Sequence, residues 1–298
     1  MNKASLPSDF NPCRLCPREC AVMRNKSTGF CGAPEEMRIA KAMLHFGEEP
    51  PISGTRGSGT IFFSGCSLKC RYCQNHAISR SAAGESYSPA RLAELFKHLE
   101  GMGAHNINLV TPTHYSAAIK AALDIYRPKI PIVYNTGGYE KPEIIRSLKG
   151  YIDIYLTDLK YADDDISRAL SGVNDYFNRA FCAITEMIKE QPKPIYDGGG
   201  MMKAGVIIRH LVLPGYLENS VKVLRCFAEN FKDNALLSLM SQYTPPSELR
   251  ESLPQNLKRT LRPLEFKYIL NKLDELEIGD GFIQDISSAT EEMLPDFN

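Results

Sequence analysis

Three cysteines, Cys66, Cys70 and Cys73, fall in the stretch "GTIFFSGCSLKCRYCQN" (59–75), with three and then two residues between them. The spacing is too tight for a disulfide framework, and no single helix or strand aims all three side chains at one point. A loop does. Thiolates are soft ligands, and three of them without an obvious fourth suit an iron–sulfur cluster with one iron left open for chemistry. A three-thiolate zinc site with a bound water is the competing reading of the same loop. A second set, Cys13, Cys16, Cys20 and Cys31, is spaced by two, three and ten residues among Pro12, Pro17, Gly29 and Gly32. Four thiolates so close can surround zinc or hold an auxiliary iron–sulfur cluster, and spacing leaves both open.

The elements that must position these thiols follow from length and pattern. At 298 residues the chain can form an α/β domain of barrel size with an appendage. Lys plus Arg and Asp plus Glu are 35 each, so no basic field draws in nucleic acid and no polybasic patch anchors the chain to a membrane. The opening "MNKASLPSDF" lacks the apolar run of a secretory signal, and nowhere is an apolar stretch long enough to span a bilayer. Seven of the nine cysteines lie in the first 73 residues in metal-like spacing, which fits a reducing cytoplasm better than a secreted disulfide protein. No Walker sequence is present, and the glycines of "ISGTRGSGT" (52–60) do not form a dinucleotide fingerprint.

Three regions are expected. Residues 1–47 form a cysteine-rich N-terminal module, 48–58 a linker whose paired prolines and glycines oppose regular structure, and 59–298 the core with a polar C-terminal tail. In the core, strands are expected at 60–64, 106–110, 131–134, 152–158, 206–213 and 235–240, with helices at 89–100, 115–126, 142–148, 163–190 (one or two), 219–231 and 263–276. This alternation requires parallel strands joined by crossover helices, as an open doubly wound sheet or a barrel, with ligands at the strands' C-terminal ends. The cysteine loop directly follows the first of these strands.

The motif Cys66-x3-Cys70-x-Tyr72-Cys73 resembles the signature of the radical S-adenosylmethionine (SAM) superfamily. Together with the "CxxCPxxC" start, the wider stretch "EEPPISGTRGSGTIFFSGCSLKCRYCQN" is similar to a branch related to pyruvate formate-lyase activating enzyme. The resemblance implies a partial (βα)6 TIM-like barrel of parallel strands. It implies a [4Fe–4S] cluster on Cys66, Cys70 and Cys73, whose open iron chelates SAM and whose electron releases a 5′-deoxyadenosyl radical that abstracts hydrogen. It further implies an electron donor such as flavodoxin or ferredoxin, and a glycyl-radical enzyme as partner. Carried over residue by residue, Tyr72 matches the aromatic position near the adenine, with Gln74 beside it. Where relatives have Gly-Gly-Glu, this chain has "VTPTH" (110–114), so Thr111 and Thr113 become the candidates for the methionine amine. "TDLKY" (157–161) resembles the Asp-Leu-Lys of glycyl-radical activating enzymes and makes Asp158 and Lys160 SAM contacts. Arg209, within its own strand, is a candidate for the SAM carboxylate or ribose, Asn135, after the third strand, a weaker one for the ribose, and Gln242 and Tyr243, after the sixth, candidates for the adenine edge.

The bland readings stand beside these. Asp158 and Lys160 end the apolar stripe of Ile152, Ile154 and Leu156, where a simple ion pair would also cap a core. His210 must point opposite to Arg209. Cys182 and Cys226 read as small core residues, His76 and His114 as hydrogen-bonded bystanders or a proton relay, and Asp163–Asp165 as a helix start. Three functions follow: a glycyl-radical activase, a radical SAM modifier of a small molecule or peptide, and a non-enzymatic electron carrier or metal-stabilised binding module. Three-cysteine ligation argues against the last, since a carrier has no use for an open iron.

Overall fold

The computed structural model describes residues 11–285. In chain order its elements are β1 (Met37–His45), α1 (Pro50–Ser53), β2 (Ser58–Phe63), α2 (His76–Ser79), β3 (Glu85–Tyr87), α3 (Pro89–Gly101), β4 (Ile107–Val110), α4 (Ser116–Ile125), β5 (Ile132–Thr136), α5 (Pro142–Ser147) and β6 (Ile154–Asp158). There follow α6 (Asp164–Ser171), α7 (Tyr176–Glu190), β7 (Ile195–Tyr196), β8 (Met202–Leu211), α8 (Leu217–Asn230), β9 (Leu236–Met240), α9 (Pro263–Glu275) and β10 (Gly281–Ile283).

The sheet runs β10-β9-β8-β6-β5-β4-β2-β1-β3, with β7 a short antiparallel addition to β8. From β2 to β10 the pairings are parallel, while β1 lies antiparallel to both β2 and β3. This is the expected α/β architecture. Every residue of β2, β4, β5 and β6 is buried, because helices cover one face and the sheet curls over the other. Side chains divide by alternation: Tyr134, Tyr155 and Ile208 pack outward with the helices, whereas their neighbours Val133, Ile154 and Ile207 join Leu156, Met202 and Ile52 in a separate inner cluster. The ends of the sheet, β10 and β3, do not pair with each other, so among the described residues the barrel is open on one side.

Three expectations are corrected. Residues 37–45, assigned to the cysteine module, form β1 and belong to the sheet. The supposed linker contains α1: proline fits a helix's first turn, where its missing N–H costs nothing, and Gly54 ends it at φ 49°. A seventh parallel strand, β10, follows the sixth. The helix prediction over 163–190 resolves into α6, capped by the Asp163 carboxylate accepting from the N–H groups of Asp165 and Ile166, and α7. Cys226 is buried as expected, but Cys182 is exposed on α7. The predicted tail, 287–298, lies outside the described residues. Among the described residues no helix is long and apolar enough to cross a membrane.

Candidate functional site

β2 delivers the chain to the cysteine loop at the C-terminal mouth of the parallel strands. Gly65 turns it at φ 86°, and a Cβ there would stand 2.8 Å from the Cys31 carbonyl oxygen, so the turn needs glycine. Cys66, Cys70 and Cys73 are free thiols. Two have a donor turned towards them: the Leu68 N–H lies 3.4 Å from Cys66 Sγ and the Ser171 hydroxyl 3.0 Å from Cys70 Sγ. Burial, then the neighbouring Cys70 and Cys73, pushes the Cys66 thiol up to about 12, which marks three sulfurs gathered at one buried spot. Three neighbouring thiols, two of them supported by N–H and O–H donors, fit an iron–sulfur cluster, whose sulfurs such bonds tune. Among the described residues no three His, Cys, Asp or Glu side chains close around a single metal ion. A cluster that spreads its thiolates over separate irons does not require that.

Cys70 and Cys73 open onto a cavity of about 220 Å³, which Tyr72, Gln74, Asn75, Asn135, Asp158, Lys160, Arg209 and Gln242 also line. A charged constellation crosses its floor. Asp158 accepts from Lys160 Nζ at 2.5 Å and from Arg209 Nε at 3.0 Å. Arg209 also reaches Asn135 Oδ1 at 2.6 Å and Glu48 Oε2 at 3.2 Å, and Glu48 Oε1 accepts from Asn108 Nδ2 at 2.8 Å. Burial alone would favour a neutral Asp158, but Lys160 and Arg209 override it and hold the carboxyl below its ordinary value. Register explains the meeting, since Asp158 pairs with Arg209 and Arg209 with Ser238 on neighbouring strands. His210 points outward, its Nδ1 on the Leu159 carbonyl and its Nε2 on the Ser220 hydroxyl. The aromatic expected at the adenine, Tyr72, is held by the Tyr161 hydroxyl at 2.8 Å and by the Tyr243 ring edge-on at 6.2 Å. Tyr243 is therefore behind Tyr72 rather than on the cavity.

Thr111 and Thr113 are not among the residues lining this cavity. The backbone turns left-handed at Thr111, φ 59°, and the Thr113 hydroxyl donates to the buried Glu140 at 2.5 Å, which commits that hydroxyl within the protein. His114 holds the Ser64 carbonyl at 2.8 Å, and burial pushes its pKa down to about 3; His76 pairs with Glu248 at 3.3 Å. Sequence reasoning missed Glu48, Glu49 and Asn108. Asn108 had a signal, two residues before Val110 on a strand; the two glutamates had none, because only the fold brings their segment under the barrel.

Cys13, Cys16, Cys20 and Cys31 line one small enclosed space against the barrel, beside Arg18 and Arg24. The N–H groups of Phe30 and Ala33 point at Cys20 and Cys31. Burial pushes Cys16 up to about 12, with Cys31 among the groups raising it further. Arg18 ties this module to the cluster loop: its guanidinium donates to the carbonyls of Ser67, Gly172 and Ser171 at 2.9, 2.9 and 3.0 Å.

The model of the radical SAM superfamily matches residues 60–225. An uncharacterized protein of Methanocaldococcus jannaschii is 32% identical over 265 residues, covering 86% of this chain and 73% of that protein. The fold is similar to a radical SAM methyltransferase from Sphaerobacter thermophilus, with TM-score 0.53, 14% identity, 77% of this chain and 68% of that one covered. It is also similar to methylornithine synthase, with TM-score 0.51, 16% identity and coverage of 76% and 63%. At such identities these two structures speak for the fold alone. The cysteine loop at the mouth of parallel strands and the match across more than half the chain lead to one assignment: the chain belongs to the radical SAM superfamily.

Proposed function

We propose that this protein cleaves SAM reductively and abstracts hydrogen from a substrate lodged in the barrel lumen, a small molecule or a peptide side chain. The observation that carries this reading is the continuity of the cavity from Cys70 and Cys73 to the buried constellation of Asp158, Lys160, Arg209 and Asn135. When bound, the cluster supplies the electron that breaks the sulfonium–C5′ bond. The chain's own residues bind and orient. Lys160 and Arg209 offer donors to a carboxylate or ribose, Asp158 and Asn135 offer acceptors, and Tyr72 with Gln74 flanks the adenine. Phe62 and Val110 line the wall and exclude water.

Activation of a glycyl-radical enzyme is the second reading, favoured by the open side of the sheet between β10 and β3, through which a polypeptide loop can enter. An electron donor such as flavodoxin or ferredoxin belongs to both. The four N-terminal thiols are proposed to hold zinc or a second iron–sulfur cluster; metal analysis of a variant lacking them decides, since loss of zinc alone excludes the cluster. Anaerobically reconstituted protein given dithionite and SAM is expected to release 5′-deoxyadenosine. No release sinks the reading. A glycyl radical signal on a partner by electron paramagnetic resonance selects the second form; turnover of a small molecule without such a partner selects the first.

A further inference from the structure

The lumen continues beyond the constellation. A second cavity, of about 460 Å³, shares Gly47, Glu48, Arg209, Met240 and Gln242 with the first and runs sideways between residues 46–50 and the strands β9 and β10. Two hydrogen-bond acceptors in its wall have no partner among the described residues, Glu49 Oε2 and Gln284 Oε1. Glu49 is only 8% exposed, and the cost of burying such an oxygen unpaired makes it a group awaiting a donor. Gln284, which lines the cavity, has its amide nitrogen committed to Gln242 Oε1 at 2.7 Å, which leaves its buried oxygen without a donor among the described residues.

The charges say what kind of donor. Lys160 is taken by Asp158, and Arg209 is shared between Asp158 and Glu48. Two cations thus serve three carboxylates, and Glu49 is the one of the three without an ion pair among the described residues. Burial raises its pKa, with Arg209 opposing, so a second cation beside it would favour the ionised carboxylate. Apolar side chains complete the wall: Met240, Phe282, and at the entrance Phe46 and Ile283, which are 61% and 53% exposed.

We propose that this side cavity is the substrate pocket, and that it takes a molecule or side chain bearing an amino or guanidino group, whose N–H donors meet Glu49 and Gln284 while its stem lies on Met240 and Phe282. The inference rests on the radical SAM reading and names the substrate class for its first form. The ammonium of SAM is a poor candidate for the same role, because Glu49 does not line the cavity at Cys70 and Cys73, and the Glu48–Arg209 pair stands between.

The test is calorimetric titration of the full chain, reconstituted and saturated with SAM, with phenethylamine and with 2-phenylethanol, which has the same stem without the cation. The amine is expected to bind about tenfold more tightly, the value of one charge-assisted hydrogen bond, and Glu49→Gln to erase that preference. Gln284→Leu, at a half-buried position, is expected to weaken the amine roughly threefold and stands in for Glu49→Gln should that variant fail to fold. Equal affinity for the two probes, no binding of the amine, or a preference that survives the substitution overturns the proposal. The wild-type release of 5′-deoxyadenosine is measured alongside: its failure sinks the radical SAM reading, whereas success with indifferent probes sinks the pocket alone.

Discussion

The cysteine loop and the short segment from Gly47 to Ser53 face the same lumen from opposite ends, and they make opposite demands on the chain. The loop carries its chemistry locally. Three thiols, a glycine turn and an aromatic side chain lie within a dozen residues, and the fold need only present them at a strand's end. The lower segment carries none of its chemistry locally. Glu48 and Glu49 acquire a role only because Ile52 plugs the inner cluster, Asn106 Nδ2 grips the Ile52 carbonyl at 2.7 Å, and Ser53 Oγ holds the Glu48 N–H at 2.9 Å. One end of the lumen is a motif and the other is a consequence of topology. A mutation should therefore abolish activity at the first and shift stability and recognition at the second.

That contrast can be broken, beginning with its strongest form. Replacing Cys66, Cys70 and Cys73 together by alanine is expected to remove the iron and all 5′-deoxyadenosine release; retained cleavage of SAM would refute the loop's role. Next is Arg209→Met, at the seam between the two ends. It leaves Asp158 and Glu48 facing each other with one cation fewer, so a loss of about 3–5 kcal/mol in denaturant unfolding is expected, with weaker SAM binding by equilibrium dialysis. A wild-type midpoint would show the seam to be incidental.

Glu140, behind the loop with Thr113 and Thr136 as donors, gives a pH signature. Burial holds its carboxyl at about 7, above the ordinary 4.5. Because the folded value is the higher, its contribution is full below about pH 4.5 and is lost as pH rises through about 7. The difference amounts to about 3 kcal/mol, and Glu140→Gln is expected to flatten that part of the stability–pH curve. A variant curve parallel to the wild type would contradict this. The smallest effect is expected from Ile52→Val in the plug, a loss of about 1 kcal/mol by thermal unfolding with the iron content unchanged. Loss of iron there would erase the distinction between the two ends.

Much of this was legible in sequence. Alternating apolar runs located the six core strands, since strands buried on both faces leave few other arrangements, and the spacing Cys66-x3-Cys70-x2-Cys73 located the mouth. Asp158, Lys160, Arg209 and Asn135 were readable as candidates because strand ends in such sheets converge. What escaped was decided at long range. Proline pairs at 50 and 51 read as a breaker, yet they begin α1, and nothing near Thr113 announced that Glu140 would claim its hydroxyl.

Arg18 has a consequence for the order in which the molecule assembles. Its one guanidinium laces carbonyls at Ser67, Ser171 and Gly172, so the loop between Cys66 and Cys73 cannot take its final shape until residues more than a hundred positions downstream have arrived. Such contacts close late in a folding chain. The nascent loop therefore waits, thiols unshielded, through the synthesis of half the barrel. Loading with iron and sulfide is accordingly expected to follow the meeting of the N-terminal module with α6, and replacing Arg18 by alanine is expected to lower the iron content of the reconstituted protein.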